Sequence, residues 1–367
     1  MKRHAEFGIA AVIVLGLLCV VFSGCGGGAS GTTGSSGGGV TPPGGFVYVA
    51  NITDNTVSAY SFNATTGALT SVGAALGTGT APFSVAVDPT GKFVYVANLG
   101  SGTVSAYTIN ATTGALTSVG AAIATGAAPI SVAVDPTGRF VYVANSVTND
   151  ISAYTINTTT GALTSVGAAV PAGADPESVA VDPTGKFVYV TNNSDNTVSA
   201  YTINTATGAL TSVGAVATGT APISVDPTGQ FAYVVNSNDN TVSAYTINTT
   251  TGILTSVGAA VAAGSAPVSV AVDPTGKFVY VANFGSNNVS AYTINTTTGV
   301  LTSVGAAVTA GTGPASVTVD STGKFVYVVN GVSSNISAYT INTTTGALTS
   351  VGAAVSTGRD PNSIATK

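Results

Sequence analysis

Apolar positions along this chain come in two patterns that repeat together. Phe93-Val94-Tyr95-Val96-Ala97-Asn98 is apolar at consecutive positions and rich in β-branched and aromatic residues. That pattern predicts a strand covered on both faces. Val104 to Asn110 alternates more clearly, and Ala115 to Gly120 is smaller and more polar, as an outer strand should be. Ser131-Val132-Ala133-Val134 is small and apolar, which suits a crowded inner strand beside an axis. Tight turns join these segments. Asp135-Pro136-Thr137-Gly138 sets proline and glycine where a β-turn needs them. Asn110-Ala111-Thr112-Thr113-Gly114 supplies a glycine for a positive-φ position.

This four-strand unit recurs seven times, starting at Phe46, Phe93, Phe140, Phe187, Phe231, Phe278 and Phe325. Five of the first six units are 47 residues long, and the fourth, Phe187 to Gln230, has 44. A period of about 40–50 residues with several short strands per unit predicts an all-β, seven-bladed β-propeller of four-stranded blades over 46–367. The first unit starts at its second strand, Phe46 to Asn51, and the last stops after Asn362-Ser363-Ile364-Ala365, an inner strand with nothing behind it. These N- and C-terminal segments are expected to pair and close the ring, which removes its open edges. Aspartates 88, 135, 182, 226, 273 and 320 recur in the turn motif, and each is read as capping its own turn rather than ligating a metal.

The N-terminus changes the setting. Lys2 and Arg3 precede an apolar run from Phe7 to Phe22, followed by Ser23-Gly24-Cys25. Residues 1–24 read as a signal peptide. A cysteine at the cut resembles a bacterial lipobox, with Cys25 as the lipidation site. The run is about 16 residues, short of the roughly 20 a spanning helix needs. Residues 25–45 are almost entirely Gly, Ser, Thr and Pro and read as a flexible tether. The expected location is extracytoplasmic, lipid-anchored to a bacterial membrane, with the outer membrane or cell surface favoured by Gly26 after the cysteine. With Cys19 removed and Cys25 lipidated, no disulfide would remain.

Only 6% of residues are charged, against roughly 25% in an ordinary globular domain. The net charge is −5 and no basic stripe exists, so nucleic acid is a poor partner. The single histidine, His4, lies in the signal segment. No His/Cys cluster suits zinc or haem, no phosphate-cradling glycine motif occurs, and serines lack a base. No metal and no cofactor is expected. Asp54, Asp150, Asp195 and Asp239 supply one carboxylate per loop, a weak calcium set.

Differences between units concentrate on one face. The Asp-Pro-Thr-Gly and Asn-Thr-Thr-Thr-Gly turns barely change, whereas the loops after the second strand and before the inner strand do, as at Asp54-Asn55, Gly100-Ser101-Gly102 and Phe284-Gly285-Ser286. A constant scaffold under variable loops is a common way to build a binding face. One position after the loop proline is expected near the axis. Its occupants are Phe83, Ile130, Glu177, Ile223, Val268, Ala315 and Asn362. Glu177 is the only glutamate after the signal segment, with Asp175 beside it, and Arg359 and Asp360 precede Asn362. Asp175, Glu177, Arg359, Asp360 and Asn362 are the candidate ligand-binding residues, in two clusters three blades apart. Solvated loop charges are the competing reading.

Tyr189-Val190-Thr191-Asn192, with Tyr-Val-Ala-Asn at 48–51, 95–98, 142–145 and 280–283, resembles the repeat of the YVTN-repeat and lactonase-like seven-bladed propellers, which include the 6-phosphogluconolactonase-type enzymes. The resemblance implies hydrolysis of a sugar lactone in the central channel by His, Glu and Arg side chains. Here the propeller holds no histidine, and Glu177, Arg139 and Arg359 are the residues of matching type. The first expectation is therefore a non-enzymatic surface or periplasmic module that binds a protein or glycan through its variable face, touching the membrane through its lipid alone. A lactonase-type hydrolase and a structural envelope protein are the alternatives.

Overall fold

The computed structural model describes residues 43–367. The expected signal peptide, Cys25 and the tether before Pro43 lie outside these residues. The last two tether residues belong to the propeller: Gly44 N–H donates to Phe62 O, and the first strand begins at Gly45.

The second blade shows the plan. An inner strand Pro82–Val87 pairs with a second strand Phe93–Asn98, a third strand Thr103–Ile109 and an outer strand, all antiparallel. The outer strand is split into Leu116–Ser118 and Ile123–Ala124, both on the third strand, with a bulge at Gly120, φ 73°. The sequence pattern predicted one outer strand; the Gly-Ala-Ala insertion breaks it, as bulges at exposed edges do. Seven such sheets form, and no helix occurs among the described residues. The seventh inner strand, Pro361–Thr366, comes from the far end of the chain and pairs with Gly45–Asn51, Val47 opposite Thr366 and Tyr48 opposite Ala365. Ring closure is as expected.

The second strands are buried throughout; Val94, Tyr95, Val96 and Ala97 have no exposed surface. Each lies between two neighbouring blades, so neither face is free for polar residues. All fourteen tyrosines of the chain serve the seams. Second-strand tyrosines donate forward, Tyr48 Oη to Gly114 O at 3.0 Å and Tyr95 Oη to Gly161 O at 3.0 Å, and Tyr327 closes the circle on Gly67 O at 3.0 Å. Third-strand tyrosines donate backward, Tyr107 Oη to Gly77 O and Tyr60 Oη to Ser356 O. Each ring fills the seam while its hydroxyl meets a buried carbonyl, worth about 1 kcal/mol per bond. Gly114 must be glycine on two counts: its φ is 75°, and a Cβ there would stand 2.2 Å from the Phe46 ring.

A second belt runs around the axis. The inner strands lie side by side in ring order. Ser84 Oγ accepts Val132 N–H at 3.2 Å, and Ser131, Ser224, Ser269 and Ser363 do the same across their seams.

The turn aspartates behave as expected at five of six positions. Asp88 is buried and accepts the N–H groups of Lys92 and Phe93 at 2.6 Å, Thr90 N–H at 3.0 Å and the Thr90 hydroxyl. Asp135, Asp182, Asp273 and Asp320 repeat the pattern. Asp226 does not, and that reading is corrected. The fifth inner strand, Pro222–Pro227, lacks two residues before its turn, so Asp226 lies within the strand opposite Tyr233, where the fourth blade has Ala180 opposite Tyr189. The third missing residue of the 44-residue unit is in the fourth blade. There the outer strand runs unbroken from Leu210 to Ala217, with a register shift opposite Ala200 and Tyr201.

Candidate functional site

The strand directions put both constant turns on one face and the loops at 52–55, 99–102 and their equivalents on the other, together with the segments that lead into the inner strands. Entry to each inner strand is strained. The residue before the proline is left-handed at Ala81, Ala128, Asp175, Ala221, Ala266 and Asp360, φ 46° to 56°, and Gly313 takes the seventh place. An asparagine from the preceding blade fixes most of these corners. Asn55 Oδ1 accepts Ala81 N–H and Asn149 Oδ1 accepts Asp175 N–H, both at 2.7 Å.

After the corner comes a bulge. In the fourth blade Pro176 faces Asn192 and Ser178 faces Thr191, so the register shifts at Glu177. The same shift falls at Phe83, Ile130, Ile223, Val268, Ala315 and Asn362. A bulge re-aims its side chain. These seven residues stand on adjacent inner strands and form a collar at the variable-face end of the axis. Phe83 packs with Leu99 and Ile130, and Asn362 Nδ2 donates to Phe83 O at 2.9 Å, from one blade to the next. The bulge was not read from sequence; proline followed by a position variable in size and polarity was its signal.

The five candidate residues separate into collar and rim. Glu177 and Asn362 belong to the collar, on inner strands three blades apart in the ring. Asp175 and Asp360 occupy strained corners. Ser194 Oγ reaches Asp175 at 3.5 Å, and burial pushes the Asp360 carboxyl up from its ordinary value. Arg359 lies outside the collar: its side chain is 72% exposed and Nε donates to Asp54 Oδ1 at 2.6 Å. The Arg359 N–H also donates to Asp54, which, with the guanidinium, holds that carboxyl below its usual range. Arg139 sits on the opposite face, over the Phe140 ring at 5.0 Å and bonded to Thr205 O, so it does not join Glu177.

Loop carboxylates have local work. Asp150 accepts Asn145 Nδ2 at 2.7 Å, Asp195 accepts Ala174 N–H at 2.7 Å, and Asp239 accepts Thr220 N–H at 2.7 Å. No group of three or more His, Cys, Asp or Glu residues suited to a metal occurs among the described residues. Asp226 is the residue sequence reasoning misplaced. It is half-buried on the inner strand, accepts Val272 N–H from the sixth blade at 2.7 Å, and desolvation pushes its carboxyl up to about 7.

Solved structures with this fold include the 6-phosphogluconolactonase-like proteins of Bacteroides fragilis and Bacteroides uniformis. Their identities are 22% and 19% and their TM-scores 0.77 and 0.79, over 88% of this chain and 97% and 99% of those. The periplasmic gluconolactonase of Pseudomonas aeruginosa matches at 17% identity and TM-score 0.76, over 88% of this chain and 98% of its own. No curated protein matches in sequence. The model of the "Lactonase, 7-bladed beta-propeller" family matches residues 20–130, 124–226, 174–272 and 225–364. With repeats, blades and ring closure in agreement, the chain belongs to that lactonase-type seven-bladed propeller family.

Proposed function

We propose that this protein is a binding module that receives a small polar ligand of the sugar-lactone class at the collar, on its variable face. One observation carries the reading. Seven bulges aim seven side chains at one end of the axis; five are apolar and the other two are Glu177 and Asn362. Apolar members other than the buried Ile130 suit the C–H face of a sugar ring, and the carboxylate and amide suit its hydroxyls. Family membership supports the ligand class. The signal-peptide reading of residues 1–24 and the lipobox-like Cys25 support a lipid-anchored, extracytoplasmic setting, in which a larger glycan or protein carrying the same chemistry is also within reach.

Calorimetric titration of the purified protein with glucono-δ-lactone tests it. Saturable binding that weakens about tenfold in Glu177→Gln is expected. The absence of a binding isotherm, or one unchanged by that substitution, rejects the collar as the site.

A second reading, ring opening, is favoured by the family match. Glu177 would draw a proton from water as the water oxygen adds to the lactone carbonyl. The ring C–O bond then breaks, the departing ring oxygen takes the proton back from Glu177, and a hydroxy acid results. General-base catalysis gains most from an oriented partner, and the propeller holds no histidine to serve as one. Acid release measured in a pH-stat separates the readings. Turnover above the spontaneous rate, lost in Glu177→Gln, makes the protein a hydrolase; binding without turnover leaves it a module.

A further inference from the structure

The fourth blade differs from its six relatives at its outer strand, away from the collar. In the others the strand splits around a Gly-Ala-Ala bulge, whereas here Leu210–Ala217 is one residue shorter and continuous. Gly214 is more extended, with φ 121° against 62° to 76° at its counterparts. A groove of about 500 Å³ lies along the straightened strand, facing the third blade. Pro171–Gly173 of the third blade forms one wall, the third strand of the fourth blade the floor, and Ser212, Gly214 and Ala215 the other wall. On the reverse side of the same strand is a smaller crevice of about 90 Å³ with apolar walls.

The groove has a defined hydrogen-bonding character. Asn192 Nδ2 donates to Thr197 Oγ1 at 3.0 Å and to Ser199 Oγ at 2.8 Å. Both hydroxyls thereby accept; the Thr197 hydrogen is left to donate into the groove, whereas Ser199 is buried and its hydroxyl meets Tyr201 Oη. Asp195 is exposed and uses Oδ2 on Ala174 N–H, leaving Oδ1 as an acceptor. Ser212 is exposed and can do either. Tyr201 ties the floor to the opposite wall, Oη to Pro171 O at 2.9 Å.

This lining selects a ligand class. No lysine or arginine contributes, and Asp195 repels anions, so phosphate and carboxylate ligands are disfavoured. Tyr201 is 1% exposed and offers no face for a planar ring to stack on. Alternating donors and acceptors beside small apolar residues match a neutral polyhydroxylated molecule. We infer that the cleft between the third and fourth blades, opened by the shortened outer strand, is a neutral saccharide site separate from the collar.

Saturation-transfer NMR on the purified protein with maltose, cellobiose and lactose tests the inference. Transfer to at least one disaccharide is expected. Affinity should fall about tenfold in Asp195→Asn, and be lost when one alanine is inserted after Gly214 to restore the bulge of the other blades. Thermal melting checks that the insertion folds; Asp195→Asn, at an exposed position, provides the result if it does not. No transfer from any disaccharide, or affinity unchanged in both variants, overturns the inference. Lactone binding at the collar should be unaffected by the insertion, so the two readings fail separately.

Discussion

Five aspartates cap their own turns, and a sixth from the same motif, Asp226, does not. Its carboxyl is pushed up to about 7 by desolvation, against 3.8 in an unfolded chain, although Val272 N–H pulls the other way. Below about pH 4 both states hold the proton and the residue is neutral to stability. Between about 4 and 7 the unfolded chain releases the proton first, so stability falls as pH rises, and above 7 the loss is complete. Asp226→Asn keeps an acceptor for Val272 N–H and removes the charge. It should flatten the decline in denaturant midpoint between pH 4 and 7; a slope identical to the parent's contradicts the assignment. Tyr327 allows a second test, because its hydroxyl joins the last blade to the first. Tyr327→Phe should lower stability by about 1 kcal/mol in urea titrations.

The turn that displaced Asp226 can be repaired. Inserting Ala-Val between Val225 and Asp226 recreates the Ser-Val-Ala-Val-Asp-Pro-Thr-Gly run of the second, third, fourth and sixth blades. The aspartate should then return to its turn, the melting temperature should rise, and the pH slope assigned to Asp226 should disappear. This element also marks where sequence reading stopped. Four strands per unit, both constant turns and five of six aspartate caps were legible, because β-branched runs and Asp-Pro-Thr-Gly turns specify local geometry. A motif match alone gave Asp226 the wrong place: the loss of two neighbours shifts a residue along the strand, and only pairing reveals the shift. The split outer strands were hidden similarly, since Gly-Ala-Ala reads as weak strand as readily as bulge. For the candidate site, Glu177 and Asn362 were recognisable as variable positions after proline, whereas the binding of Arg359 to Asp54 came from a loop 305 residues away in sequence.

No blade here is a domain by itself; each second strand is covered only because another blade lies on either side. Stability therefore depends on closure, which rests on Pro361–Thr366 and its pairing with Gly45–Asn51. Deleting Asp360 to Lys367 removes that strand, the Lys367 N–H bond to Phe46 O and the collar residue Asn362. The truncated protein should melt at a markedly lower temperature and self-associate through the exposed edge. A closed ring also explains how near-identical units can carry a specific site: the circle fixes the turns, seams and belts, and leaves the collar and its loops free to differ. The most direct measurement is a crystal structure of the protein soaked with glucono-δ-lactone. The account requires ligand density at the collar, within hydrogen-bonding distance of Glu177 or Asn362; a fully occupied ligand on the constant-turn face, with the collar empty, would contradict it.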